Sequence, residues 1–371
     1  MKNLTQKLSK QFFGAGVRVV TLVLFLVVFG ASAALAQTRG YLTNIVVNNV
    51  SVIDPVTNTV IATIPVGAAP SAVAVTPNEA FAYVTNGGSN NVSVISAATN
   101  TVVATVPVGL APSGVAITPN GAFVYVVNRN SNTVSVINTA TDTVTATIPV
   151  NVAPFSVAIT PSGDFAYVAC SIGVVTVIDT ASNTVVTTVP SGANSAGVAI
   201  TPNGAFAYVT NFNASNVAVI STANNTVVAT VPVGDSPLGV AITPNGGFAY
   251  VANQNGNTVS VIDTSTNTVV ATVPVGILPR FPAVDPTGSS VYVPNLISGS
   301  VSVISTATNA VVATVGGMPT GPNAIAFAVQ TQGPSNKDQC KNGGWETFTN
   351  PSFKNQGQCI KFVNHMDEHE H

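Results

Sequence analysis

From about residue 41 the chain is a succession of short apolar runs separated by turn residues, and four runs make one unit: "SAVAVTPN", "AFAYVTN", "NVSVISAATN" and "TVVATVPVG". Within "VSVI" and "TVVATV" the pattern has the period of two that belongs to strands, and neither stretch shows the i, i+3, i+4 spacing of a helix face. The pattern predicts an all-β chain with helix nearly absent.

The units recur. "FAYVTN" stands at Phe81 and again at Phe206, with "FVYVVN" at Phe123 and "FAYVAN" at Phe248. All seven tyrosines mark the repeat: Tyr41, Tyr83, Tyr125, Tyr167, Tyr208, Tyr250 and Tyr292 follow one another at intervals of 42, 42, 42, 41, 42 and 42 residues. Four strands in each unit of this length predict a seven-bladed β-propeller with four-stranded blades of about 42 residues. If the runs are lettered A ("GVAITP"), B ("AYVTN"), C ("VSVID") and D ("VVATVPVG"), the chain enters at B and leaves with A, "NAIAFAV" from Asn323 to Val329. The C-terminal strand is therefore expected to join the N-terminal blade, closing the ring and removing two open sheet edges.

The B runs read "YLTN", "YVTN", "YVVN", "YVAC", "YVTN", "YVAN" and "YVPN". On these residues the chain resembles the YVTN family of β-propeller repeat proteins from Tyr41 to about Val329, with Cys170 replacing the motif asparagine in the fourth repeat. The resemblance implies a place at the bacterial cell envelope or surface. Similar seven-bladed propellers include lactone hydrolases and quinone-dependent dehydrogenases, so a channel-centred enzyme is the alternative that fold analogy keeps open.

Composition fits stacked blades. Only 6% of the chain is charged and 46% is hydrophobic, as expected when middle strands are covered on both faces. Run D, the expected outer edge, carries Pro65, Pro107, Pro149, Pro190, Pro232 and Pro274, which withhold a ladder donor from foreign strands. Asn44, Asn86, Asn128, Asn211, Asn253 and Asn295 end run B and read as repeated turn-formers.

The termini carry different signals. Lys2, Lys7, Lys10 and Arg18 precede "VVTLVLFLVVFG", and "ALAQ" supplies small residues before Gln37, so residues 1–36 read as a secretory signal peptide and the protein as extracytoplasmic: periplasmic, surface-bound or secreted. The propeller is assigned to residues 37–330. Residues 331–371 form a polar tail in which Cys340 and Cys359 bracket a segment too small for its own core. A disulfide between them is expected to contribute about 3 kcal/mol. The tail also resembles the short "CKNGGW…FKNQGQC" appendage at the C-terminus of assorted bacterial secreted proteins. His365, His369 and His371 crowd the very end among acids. They are a weak metal-ligating set that reads first as an acidic tail, so no metal or other cofactor is assigned.

Charge then limits the chemistry. Between Tyr41 and Gln330 the acids are Asp54, Glu79, Asp142, Asp164, Asp179, Asp235, Asp263 and Asp285, the bases are Arg129 and Arg280, and lysine and histidine are absent. Most of these acids fall at repeated turns, and no histidine stands ready to activate a serine, so no catalytic residue is assigned and the chain is read as a non-enzyme. Without residues 1–36 the chain holds 7 basic and 13 acidic residues, a net charge of −6. Nucleic acid is not an expected partner.

Comparison among the repeats separates two ends of the ring. The A to B turns barely vary ("TPNEAF", "TPNGAF", "TPSGDF", "TPNGGF"), with "DPTGSS" the outlier, and the C to D turns keep "TNT" or a near copy. The B to C and D to A loops, which share the other end, vary throughout. That end collects Arg129, Phe155, Phe212, Asp235, Leu238, Leu278, Arg280, Phe281 and Leu296. Loops on a rigid scaffold carry function, and this set suits a protein or glycan of the envelope or exterior. The expectation is a binding or structural propeller presenting these loops, with a purely structural surface-layer role as a further alternative.

Overall fold

The computed structural model describes residues 37–318 and 321–330, together with Lys341, Gln356 and Ile360. The expected signal peptide, the Cys340–Cys359 disulfide and the three tail histidines lie outside the described residues.

Seven antiparallel four-stranded sheets form a β-propeller. Blade I is built from Pro322–Gln330, Gln37–Asn44, Asn49–Asp54 and Thr59–Pro65, in that order. The C-terminal strand thus pairs with the N-terminal one, Gly40 facing Phe327 and Tyr41 facing Ala326. Blade II runs Pro70–Val75, Phe81–Asn86, Asn91–Ser96 and Thr101–Pro107 from axis to rim, and blades III to VII repeat this order. No helix among the described residues is long and apolar enough to cross a membrane.

Burial follows the strand's place in the blade. B and C strands such as Phe81–Asn86 and Asn91–Ser96 are buried along nearly their whole length, because a neighbouring blade covers each face. The D strands face solvent most, Thr59–Pro65 and Thr101–Pro107 presenting every second residue and the other five exposing their first three residues in succession. In all seven blades the C and D strands slip register once, as between Val94 and Ile95. Such a bulge increases local twist.

The repeated motif acquires a physical account. Each tyrosine is almost fully buried and donates its hydroxyl to the C to D turn of the next blade: Tyr41 to Asn100 at 3.1 Å, Tyr83 to Asp142 at 2.7 Å, Tyr125 to Asn183 at 2.7 Å. The series continues through Tyr167, Tyr208 and Tyr250 to Asn225, Asn267 and Asn309. It closes the circle with Tyr292 to Asn58. Where the motif has threonine, the hydroxyl reaches across to the next inner strand, Thr85 donating to the Ser113 carbonyl at 2.9 Å and Thr210 to that of Leu238 at 2.7 Å.

The motif asparagines differ from the sequence expectation. They are fully buried strand ends rather than turn-formers, and the left-handed turn positions belong to other residues, among them Asn58, Asn100, Asn183 and Asp142. Asn86 instead donates to Asn91 at 2.8 Å and to Ser93 at 2.9 Å on the adjacent strand, pinning the B to C connection from inside. Its role follows from burial: an interior amide must find partners, and the neighbouring strand supplies them.

Candidate binding site at the channel mouth

Strand order places the A strands around the axis, and pairing fixes which residues share a level. Pro70, Pro112, Pro154, Ser195, Pro237 and Pro279 each face the last residue of their blade's B strand, and Pro322 does the same in blade I. The next residue in each blade forms an inner ring: Ser71, Ser113, Phe155, Ala196, Leu238, Arg280 and Asn323. Residues following the motif asparagine, or Cys170, form an outer ring: Ile45, Gly87, Arg129, Ser171, Phe212, Gln254 and Leu296. Six of the nine candidate residues, drawn from six different loops, thus occupy two concentric rings.

One residue deeper the ring narrows. Ala72, Gly114, Ser156, Gly197, Gly239 and Ala324 are small. At Gly114 a Cβ would lie 2.8 Å from the Ser156 Cα, and at Gly239 it would lie 2.7 Å from the Phe281 Cα, so adjacent inner strands approach too closely for a side chain there. Phe281 is the exception at this level. Pro282 withholds its donor, regular pairing in blade VII begins only at Ala283, and Phe281 makes an isolated bridge to Ala324 of blade I, its N–H donating to the Asn323 carbonyl at 3.1 Å.

The consequence is a partition across the axis. Phe281 of blade VII meets Phe155 of blade IV, almost opposite in a ring of seven, with centroids 6.0 Å apart and planes tilted by 36°. This is within the range of a favourable aromatic pair. On the side of blades I to III it leaves a cavity of about 130 Å³, walled by Ala72, Val73, Val115, Ile325, the two phenyl rings and the serines Ser71, Ser113 and Ser156. Ser113 donates to the Phe155 carbonyl at 2.8 Å. The Ser71 and Ser156 hydroxyls have no protein partner among the described residues. No titratable side chain lines the cavity.

Cations stand at the rim. The exposed Arg129 places its guanidinium carbon 5.1 Å from the Phe155 ring centre, a cation–π distance. Arg280 is tied down by Nε to Asn323 Oδ1 at 2.9 Å and by Nη1 to Gln254 Oε1 at 2.7 Å. Asn323 in turn donates to the Ser71 carbonyl. Burial lowers the Arg280 pKa to about 10, and desolvation is its only cause. Among the described residues no carboxylate pairs with Arg280, and its Nη2 has no protein acceptor.

The other candidates are arranged less tightly. Leu238 is only 4% exposed and belongs to the wall between blades rather than to a free surface. Phe212, Leu278 and Leu296 are half-buried, and the last two are joined by a backbone hydrogen bond of 3.0 Å. Asp235 is exposed and accepts from Ser236 at 2.9 Å; among the described residues it makes no ion pair with either arginine. Gln254, Asn323 and the three serines were missed by sequence reasoning. Gln254 was within reach, because it follows its motif asparagine as Arg129 follows Asn128.

Family models match parts of the chain. Residues 47–154 are similar to the family described as "Lactonase, 7-bladed beta-propeller" and residues 117–239 to the cytochrome D1 heme domain. Among solved structures, one titled Kuenenia stuttgartiensis hydrazine synthase is 28% identical, with a TM-score of 0.65 over 70% of this chain and 90% of its own. A functionally unknown protein from Desulfotomaculum acetoxidans DSM 771, 20% identical with a TM-score of 0.70 over 78% of this chain and 98% of its own, shares the fold. No curated protein matches the chain.

Proposed function

We propose that this chain is an exported propeller that binds a macromolecular partner through its channel-mouth face and does no chemistry of its own. One observation carries the reading. Of the large apolar residues left exposed among the described residues, Val46, Val47, Leu110, Val152, Ile172, Ile277 and Ile297 all stand on mouth-face loops, whereas the turn face exposes only Val56 and the rest belong to outer strands. Apolar groups gathered on one face and set among polar loops are what association surfaces offer. The cation–aromatic group at the centre supplies the kind of anchor that dominates such contacts.

A channel-centred hydrolase is the second reading, favoured by the lactonase-model match. Against it stands the cavity wall, which offers hydroxyls and backbone but no acid or base to activate them.

The test is binding to an array of purified glycans and envelope proteins, with a folded Phe212→Ser/Ile277→Ser/Leu296→Ser variant alongside. A partner held by the parent and released by the variant supports the reading. Binding that survives the substitutions, or lactone turnover by the parent, sinks it.

A further inference from the structure

We infer that the mouth cavity is a receptor for the free C-terminus of a protein partner: the α-carboxylate pairs with Arg280 and the apolar last side chain enters the cavity beside Phe155 and Phe281. The inference rests on the binding reading above and names the class of partner.

Three features converge on this occupant. Arg280 is a desolvated guanidinium held in place by two neutral amides, Asn323 and Gln254. Neutral acceptors orient a cation without cancelling its charge, so the protein has met the cost of placing this cation and left its counter-ion to be supplied from outside. Nη2 remains free to complete a carboxylate pair, the geometry that guanidinium recognises best.

The cavity beneath the rim adds shape. The Phe155–Phe281 contact crosses the axis and confines this space to one side of it, which suits the end of a polypeptide better than a chain passing through. Its volume of about 130 Å³ and its aliphatic and aromatic walls suit one apolar side chain of modest size. The unpartnered Ser71 and Ser156 hydroxyls supply hydrogen bonds to the last peptide group. Exposed aliphatics around the mouth, such as Ile277 and Ile297, favour a polypeptide over a sugar chain as the body behind that terminus. Capture of a terminal carboxylate is an established mode of peptide recognition.

Fluorescence anisotropy tests it with labelled Gly-Ser-Gly-Leu as the free acid, the same peptide as its C-terminal amide, and unlabelled 4-methylpentanoate as competitor. The expected result is that the acid binds at least about tenfold more tightly than the amide, one lost charge pair converted at RT ln 10. Arg280→Met should abolish the difference and Arg280→Lys should keep part of it. Equal binding of acid and amide by the unaltered chain overturns the proposal without any variant. Displacement by 4-methylpentanoate as efficient as by the peptide overturns the chain-end occupant. Array partners still held by Arg280→Met, but released by the loop-face variant, would reject the C-terminus receptor while leaving the binding reading intact. No array binding by any form would reject the binding reading itself.

Discussion

The two ends of the ring are built from the same repeat and spend it differently. At the turn end each blade makes the same bond as its neighbours, tyrosine hydroxyl to the next C to D turn, and the series runs round until Tyr292 reaches Asn58. At the mouth end equivalent positions hold Ser, Phe, Ala, Leu, Arg and Asn, and beside the threonine bond that recurs in three blades stand contacts made once each: Ser113 to Phe155 and Arg280 to Asn323. The unbroken series of tyrosine bonds ties every blade to the next at the turn end. The other end is free to become asymmetric, and asymmetry is what recognition of one partner requires.

The largest effect that separates the ends is alkaline unfolding. Burial raises the tyrosine pKa values, to about 12 for Tyr125, Tyr208, Tyr250 and Tyr292. Between the unperturbed value near 10 and that level the folded ring keeps protons that the unfolded chain releases, so stability is intact below pH 10 and falls as pH rises toward 12. Thermal melts from pH 8 to 12, read beside tyrosinate absorbance, should show both transitions together. Tyrosines that ionise well before the fold melts would break the account of the turn end.

Tyr208→Ala comes next. Removing a fully buried ring from between two blades should cost about 3–5 kcal/mol, measured by denaturant unfolding, whereas Phe155→Ala, at a half-buried mouth position, should cost roughly half as much. Equal costs would mean that the mouth also holds the ring together. Smaller still is Tyr125→Phe, which deletes one hydroxyl bonded to Asn183 at 2.7 Å and should cost about 1 kcal/mol. Asp142→Asn, restoring the residue used in the other turns, should leave stability within about 0.5 kcal/mol.

The same contrast explains what the sequence made legible. Tyrosine spacing and strand alternation are repeated signals, so blade number, strand order and ring closure could be read directly. Which loops share a face was readable for the same reason. The partition across the axis was not, since a contact between Phe155 and Phe281 joins residues 126 positions apart through the curvature of the ring, which no local pattern encodes. Asn323 was hidden differently: inside the repeat it looks like one more strand-end residue, and only the circular arrangement sets it beside Arg280. The motif asparagines were misjudged because turn propensity is a local property, and their burial comes from the neighbouring blade.

Arg280→Met should have a small effect on the fold and decides the most about the mouth. A residue kept for stability loses free energy when replaced. Arg280 instead carries a charge that burial disfavours and that no carboxylate among the described residues offsets, and an apolar chain of similar length relieves that cost. Against this gain stand two hydrogen bonds to neutral amides: Gln254 is half-buried and free to turn toward water, whereas Asn323 is buried and its Oδ1 would lose its partner, a cost of about 1–3 kcal/mol. The terms oppose each other, so the stability should change by less than about 2 kcal/mol in either direction. A loss of several kcal/mol would make Arg280 part of the ring's closure, in line with the tyrosines. A neutral change together with lost acid-over-amide discrimination would assign the residue to recognition alone, because a guanidinium that the fold does not need is then held there for what it meets from outside.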